Sequence, residues 1–219
     1  MLTSEPQPTG SGFRALMKNR QFVILWIGQI VAQLADKIFF VLLITLVAEY
    51  QPPQDIENSM RSAVMIANTL PAVFLGSAAG IFVDRWSKKQ ILWSSNFFRG
   101  LLTLSIPLLP KGLPWFPLLL LAAGCESILT QFFAPAEQAA IPIVVRPHNL
   151  MSANALFTST MMGSLVVGFA VGDPLLSWSR TWAGRHGPEY LVGGLYILSS
   201  MILISLRMRE EKAENSLAL

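Results

Sequence analysis

Four ionisable side chains stand inside long apolar runs: Asp36 and Lys37 in one, Arg99 in another, Glu126 in a third. At the centre of a bilayer each would cost about 2.5–3.5 kcal/mol, so each must find a partner or water. Their formal charges cancel. Two chemistries fit: a polar cavity wall that binds a solute or a coupling ion, and a buried ion network that ties helices together. Asp36 and Lys37 are adjacent in sequence, so on a helix they point to different neighbours. Gln29, Gln33, Asp36 and Phe40 recur at i, i+4, i+7 and i+11, one helical face, and Glu126, Thr130, Phe133 and Glu137 repeat that spacing. The expected geometry sets Asp36 across from Glu126, with Lys37 and Arg99 as their partners. Asn68 and Asn154 are weaker polar candidates. Asn68 precedes Pro71 and suits a carbonyl that the proline frees.

The elements that carry these residues read as membrane helices. The chain has 219 residues, 53% hydrophobic and only 13% charged, against about 25% charged in a soluble domain. Six apolar segments lie near 22–47, 61–82, 89–109, 114–134, 152–176 and 190–206, each close to the roughly 20 residues that a span requires. They are too long for barrel strands, and hydrocarbon offers a lone strand's backbone no partner. The fold class expected is therefore an all-α integral membrane bundle over 21–207, between polar tails at 1–20 and 208–219. Residues 1–20 have no apolar h-region and read as a mobile tail rather than a signal peptide. Pro107, Pro110, Pro114 and Pro117 mark a tight turn between the third and fourth segments, and Ser152 reads as the N-cap of the fifth.

Charge and aromatic residues orient the bundle. With both termini in the cytoplasm, ten basic residues fall inside and four (Arg61, Lys111, Arg180, Arg185) outside, which is the positive-inside bias. The six Trp lie near segment ends, as an interfacial belt does. Several function classes drop out. The single Cys125 excludes an internal disulfide framework and a Cys-based zinc site. His148 and His186 fall in loops on opposite sides, and no H-E-x-x-H, G-x-S-x-G or G-K-[ST] occurs, so neither an enzyme, a metal nor a cofactor is expected. The net charge of +3 follows from topology and calls for no nucleic acid.

Small residues mark close helix approaches. Gly76 and Gly80 form one GxxxG, Gly168 and Gly172 another. Packing within the chain is the simpler reading, and a surface for a second bundle is the other. Gly80-Ile-Phe-Val-Asp84-Arg85-Trp86-Ser87-Lys88-Lys89 places a helix-breaking glycine, an acid at a helix end and a basic cluster in one short cytoplasmic turn.

This turn resembles the signature loop of the major facilitator superfamily, G-x-x-x-D-R-x-G-[RK]-[RK], with Ser87 in place of the second glycine. Leu25–Gln29 with Gln33–Asp36, and Phe133–Pro142 with Asn149–Leu156, are similar to the drug, siderophore and lysophospholipid exporter branch. Glu137 stands where relatives of that branch often carry a base. Gly168-Phe169-Ala170-Val171-Gly172-Asp173-Pro174 departs from the G-P-x-x-G-G of proton-coupled antiporters.

The resemblance implies one six-helix half of such a transporter, built from two inverted three-helix repeats. It implies a substrate cavity lined by the first and fourth helices, with Gln29, Gln33, Asp36, Lys37 and Glu126 on its wall. It implies also that the second and fifth helices meet the opposite half. The function expected is export of an amphipathic or apolar small molecule or lipid across a bacterial-type inner membrane. The partner expected, besides the bilayer, is a second half, a second copy of the chain or a larger complex. The alternative is a non-transporting structural or assembly subunit.

Overall fold

The computed structural model describes residues 12–208. Their regular structure is all helical, with no strand: α1 (Phe13–Lys18), α2 (Arg20–Leu46), α3 (Gln54–Arg85), α4 (Lys88–Ser105), α5 (Phe116–Val144), α6 (Leu150–Ala183) and α7 (Gly187–Ile204), with short loops and 3-10 turns between them. The tail segment 209–219 lies outside the described residues, as do residues 1–11.

Local chemistry sets the boundaries. Asn19 caps α2, its Oδ1 accepting the Gln21 and Phe22 N–H groups. Ser87 caps α4 by accepting the Gln90 N–H. Gly112 at φ 110 turns the chain between α4 and α5, inside the proline-rich turn. Gly184 at φ 72 ends α6 in a conformation other residues rarely adopt.

Three expectations need correction. Ser152 lies inside α6, and Asn149 is the N-cap position. Gly80 does not break α3, which runs on to Arg85. The bend lies instead between Gln54–Gly76 and Ala78–Arg85, which meet at 64°. Residues 13–18 are helix rather than free tail, because Leu16 is buried against the bundle at 1% exposure.

Four helical stretches are long and apolar enough to cross a membrane: Arg20–Tyr50, Leu113–Val144, Pro147–Ala183 and Gly187–Ile204. Bent α3 makes a fifth if it is one span. α4 is not among them, since its 18 residues include Lys88, Lys89 and Arg99. Large apolar side chains such as Ile66, Val73, Phe74, Val166 and Trp182 face outward, as an apolar solvent would allow.

The principal helix pairs are α3 with α5, α4 with α7, α2 with α6 and α7, and α4 with α5. Two apolar clusters form the core. One gathers Phe39, Leu42, Tyr50, Phe116 and Tyr196. The other gathers Phe22, Leu25, Phe133, Phe157 and Leu203. Along α2 they meet between Ala32 and Ala35, along α4 and the turn that follows it between Leu92 and Ile106, and along α5 between Ala123 and Phe133. Asp36, Arg99 and Glu126 sit at or beside that junction.

Candidate functional site

Arg99 is fully buried at 0% exposure and organises the site. Its Nε donates to Glu126 Oε1 at 2.9 Å, and its Nη2 donates to the same oxygen at 2.6 Å. Nη2 also donates to Asp36 Oδ1 and, at 3.0 Å, to the Tyr196 hydroxyl. Nη1 donates to Asn96 Oδ1 at 3.1 Å. The guanidinium carbon lies 4.3 Å from the Tyr196 ring centroid, adding a cation–π contact. A planar five-donor group suits this task; an ammonium would not reach the same set of acceptors.

The acceptors come from different helices. Asp36 lies on α2, Asn96 one turn before Arg99 on α4, Glu126 on α5 and Tyr196 on α7. Tyr196 stands 3.0 Å from both Asp36 Oδ1 and Glu126 Oε1, and its single proton is donated to one of them at a time. From α3, Asn68 Nδ2 donates to Glu126 Oε2 at 3.4 Å. The network continues away from the charges: Asn96 Nδ2 donates to Ser199 Oγ, and Ser199 Oγ donates to the Gly28 carbonyl, both at 2.8 Å. Five helices therefore meet around one guanidinium.

Beside it opens a cavity of about 270 Å³, lined by Asp36, Lys37, Asn68, Arg99, Glu126 and Thr130, with Phe40 and Phe169 closing its apolar side. Such a wall offers carboxylates, cations and amides to a solute within a mainly apolar bundle. Among the described residues there is no cluster of His, Cys, Asp and Glu that could hold a metal ion.

Of the residues singled out from sequence, Asp36, Lys37, Arg99 and Glu126 come together here. Lys37 is corrected in one respect: Arg99 alone makes ion pairs to the two carboxylates, while the Lys37 stem packs on α6. A Cβ on Gly168 would come within 2.6 Å of Lys37 Cβ. Gln29 and Gln33 do not line the cavity. Gln29 is buried and its Oε1 has no hydrogen-bond partner. Glu137, three turns along α5 from Glu126, is 3% exposed and its Oε1 is likewise unpartnered. Asn68 serves a carboxylate rather than a carbonyl freed by Pro71.

The signature turn holds together differently. Lys88 Nζ donates to the Asp84 carbonyl at 2.8 Å, while the Asp84 and Arg85 side chains face outward. The two small-residue pairs also separate. Gly168 and Gly172 are buried against Lys37 and Val41 of α2, so they serve packing within the chain and not contact with another polypeptide. Around Gly76 a Cβ would touch only Gln131, at 3.8 Å, and around Gly80 it would meet nothing within 4 Å.

Tyr196, Asn96 and Ser199 were missed from sequence. A signal existed for each. Tyr196 is the one tyrosine of three well inside an apolar run, Ser199 follows it by three residues, and Asn96 precedes Arg99 by three, the spacing of helical neighbours.

Known proteins share this sequence pattern. The MFS-type transporter YfiS of Bacillus subtilis is 23% identical over 194 residues, covering 88% of this chain and 44% of YfiS. BacE of the same organism, named as a bacilysin exporter, is 32% identical over 139 residues, covering 62% of this chain and 34% of BacE. The MFS-type transporter YkuC is 24% identical over 207 residues, covering 90% of this chain and 44% of YkuC. The chain thus spans less than half the length of these relatives. No solved structure matches it. The model of a family of membrane transporters matches residues 25–218, and on that match the chain belongs to the Major Facilitator Superfamily.

Proposed function

We propose that the chain is one six-helix half of an exporter of amphipathic or apolar small molecules, and that Asp36, Arg99 and Glu126 with Tyr196 form its side of the substrate cavity. The observation that carries this reading is the cavity itself, which opens directly onto a buried guanidinium and two carboxylates. Intramembrane ionisable groups that line a cavity mark substrate or ion pathways. The name of BacE supports the direction of transport.

α4 is the sixth span in this proposal. Lys88 and Lys89 stand at its end, where long side chains reach the interface, and Arg99 is paired inside. Helix pairing supports two three-helix repeats. Shifting each element by three carries the pair α3–α5 into α6–α2 and α4–α5 into α7–α2, while α4–α7 maps onto itself. Inverted repeats in this superfamily have that relation. The basic bias supports cytoplasmic termini in a bacterial-type inner membrane. The exposed faces of α3 and α6, including Gly76 and Gly80, are where the opposite half docks.

A second reading, a non-transporting subunit, is favoured by one observation: every nitrogen of Arg99 is engaged by side chains of the bundle, as in a static tie. Energised everted vesicles from cells that carry the native protein separate the two. Accumulation of an amphipathic fluorescent dye that Asp36→Asn abolishes, with insertion unchanged, supports the exporter. Accumulation that Asp36→Asn leaves intact removes Asp36 from the pathway. No energised accumulation by the inserted wild type leaves the subunit reading.

A further inference from the structure

At the end of the bundle that holds the α2 N-terminus, α1 folds back over the connection between α5 and α6. Leu16 anchors it to the core, while Phe13 and Met17 remain 55% and 43% exposed. Arg14 and Lys18 alternate with these apolar residues. Apolar and cationic side chains on one short exposed segment are the pattern of an interfacial helix. Side-chain bonds fasten it. The Gly12 N–H donates to Asn149 Oδ1 at 3.1 Å, and Asn19 Nδ2 donates to the Val144 carbonyl at 2.6 Å.

Between α1 and that connection lies a second cavity, of about 390 Å³. Lys18, Arg146 and His148 line it together with the amides of Asn19 and Asn149, and among the described residues none that lines it is acidic. Cations and amide donors without a carboxylate are the chemistry that recognises a phosphate anion. The chain immediately on either side supplies exposed apolar surface, at Ile143 and Met151, 37% and 84% exposed. Such surface suits acyl chains and has no use for a soluble anion.

We propose that this cavity binds the phosphate headgroup of an anionic phospholipid, whose acyl chains run along Ile143 and Met151. The proposal rests on the membrane-spanning reading given above and is independent of the transport site.

Native mass spectrometry of the full chain in mild detergent tests it, with phosphatidylglycerol, phosphatidylcholine and glycerol 3-phosphate as probes. Phosphatidylglycerol is expected to be retained in preference to phosphatidylcholine. Lys18→Gln and Arg146→Gln are each expected to weaken it about fivefold, and the pair about 25-fold, from the attraction that each cation near an anionic surface contributes. The charge-preserving pair Lys18→Arg with Arg146→Lys is expected to bind as wild type. So is Arg180→Gln, which removes an equal charge at the opposite end. Equal retention of both lipids, or unchanged phosphatidylglycerol binding in the double Gln variant, overturns the proposal. Displacement by an equal concentration of glycerol 3-phosphate also overturns it and assigns the cavity to a soluble phosphate. Loss of lipid retention in a chain that cysteine labelling shows to span the membrane removes this inference alone.

Discussion

Gly100 of α4 and Gly193 of α7 lie back to back. A Cβ on Gly100 would come within 2.7 Å of Ile197 and 3.1 Å of the Gly193 carbonyl; one on Gly193 would come within 2.6 Å of Leu104 and 3.2 Å of the Gly100 carbonyl. The relation is reciprocal, each glycine meeting the residue four positions beyond the other. The close crossing it permits brings Arg99 within reach of Tyr196 and Asn96 within reach of Ser199. Backbone approach of this kind is what small residues provide in membrane helix pairs.

Bulk at that crossing is therefore expected to unseat the site. Gly100→Leu and Gly193→Leu each overpack a closed interface, at a cost of about 1–3 kcal/mol or more. Thermal melting in detergent and the yield of folded protein should fall for both. Gly80→Leu, where nothing lies within 4 Å of a Cβ, should melt as wild type. Equal melting of all three would show that α4 and α7 do not cross there.

Arg99→Met strands two carboxylates. Removing one member of a buried ion pair typically costs about 3–5 kcal/mol, so the variant should lose most of its folded yield. A second change should restore part of it, Glu126→Gln more than Asp36→Asn, because Glu126 accepts two guanidinium bonds. Arg99→Lys should rescue poorly, since a point charge cannot reproduce the fork. A silent Arg99→Met would remove the network from the folding problem.

The two glutamates of α5 should behave differently. Glu126→Gln removes an ion partner of Arg99, whereas Glu137 has an unpartnered carboxyl oxygen in a buried position. Burying a carboxyl without compensation is costly, and an amide of the same shape carries no charge. Glu137→Gln is expected to match or exceed wild-type melting, and Glu126→Gln to fall below it. The reverse order would place the ion partner at Glu137.

Topology is open to cysteine labelling. In a background with Cys125 replaced by Ala, an impermeant maleimide applied from outside should modify Asp55→Cys, at the start of α3, and miss Ser87→Cys, between α3 and α4. Modification of Ser87→Cys alone would invert the orientation.

Much of the architecture was legible from hydropathy, because an apolar run of about 20 residues has few alternatives to a spanning helix. Four of the six predicted segments fall on helices long and apolar enough to cross a membrane and a fifth on bent α3, while α4 carries the third; the cost of intramembrane charge alone singled out Asp36, Lys37, Arg99 and Glu126. The partners were not legible. Periodicity places a residue on a face of its own helix, but which helix that face meets depends on how whole helices cross. That is why Lys37, equal to Arg99 by formal charge, packs its stem on Gly168 of α6 while the ion pairs to both carboxylates go to Arg99. It is also why the glycines that matter for the site are Gly100 and Gly193, neither of them part of a GxxxG pair, while the GxxxG pairs serve the α2–α6 contact or meet almost nothing. Tyr196 escaped for the same reason: a single hydroxyl on an apolar helix gains its role only when packing sets it 3.0 Å from two carboxylates that belong to other helices.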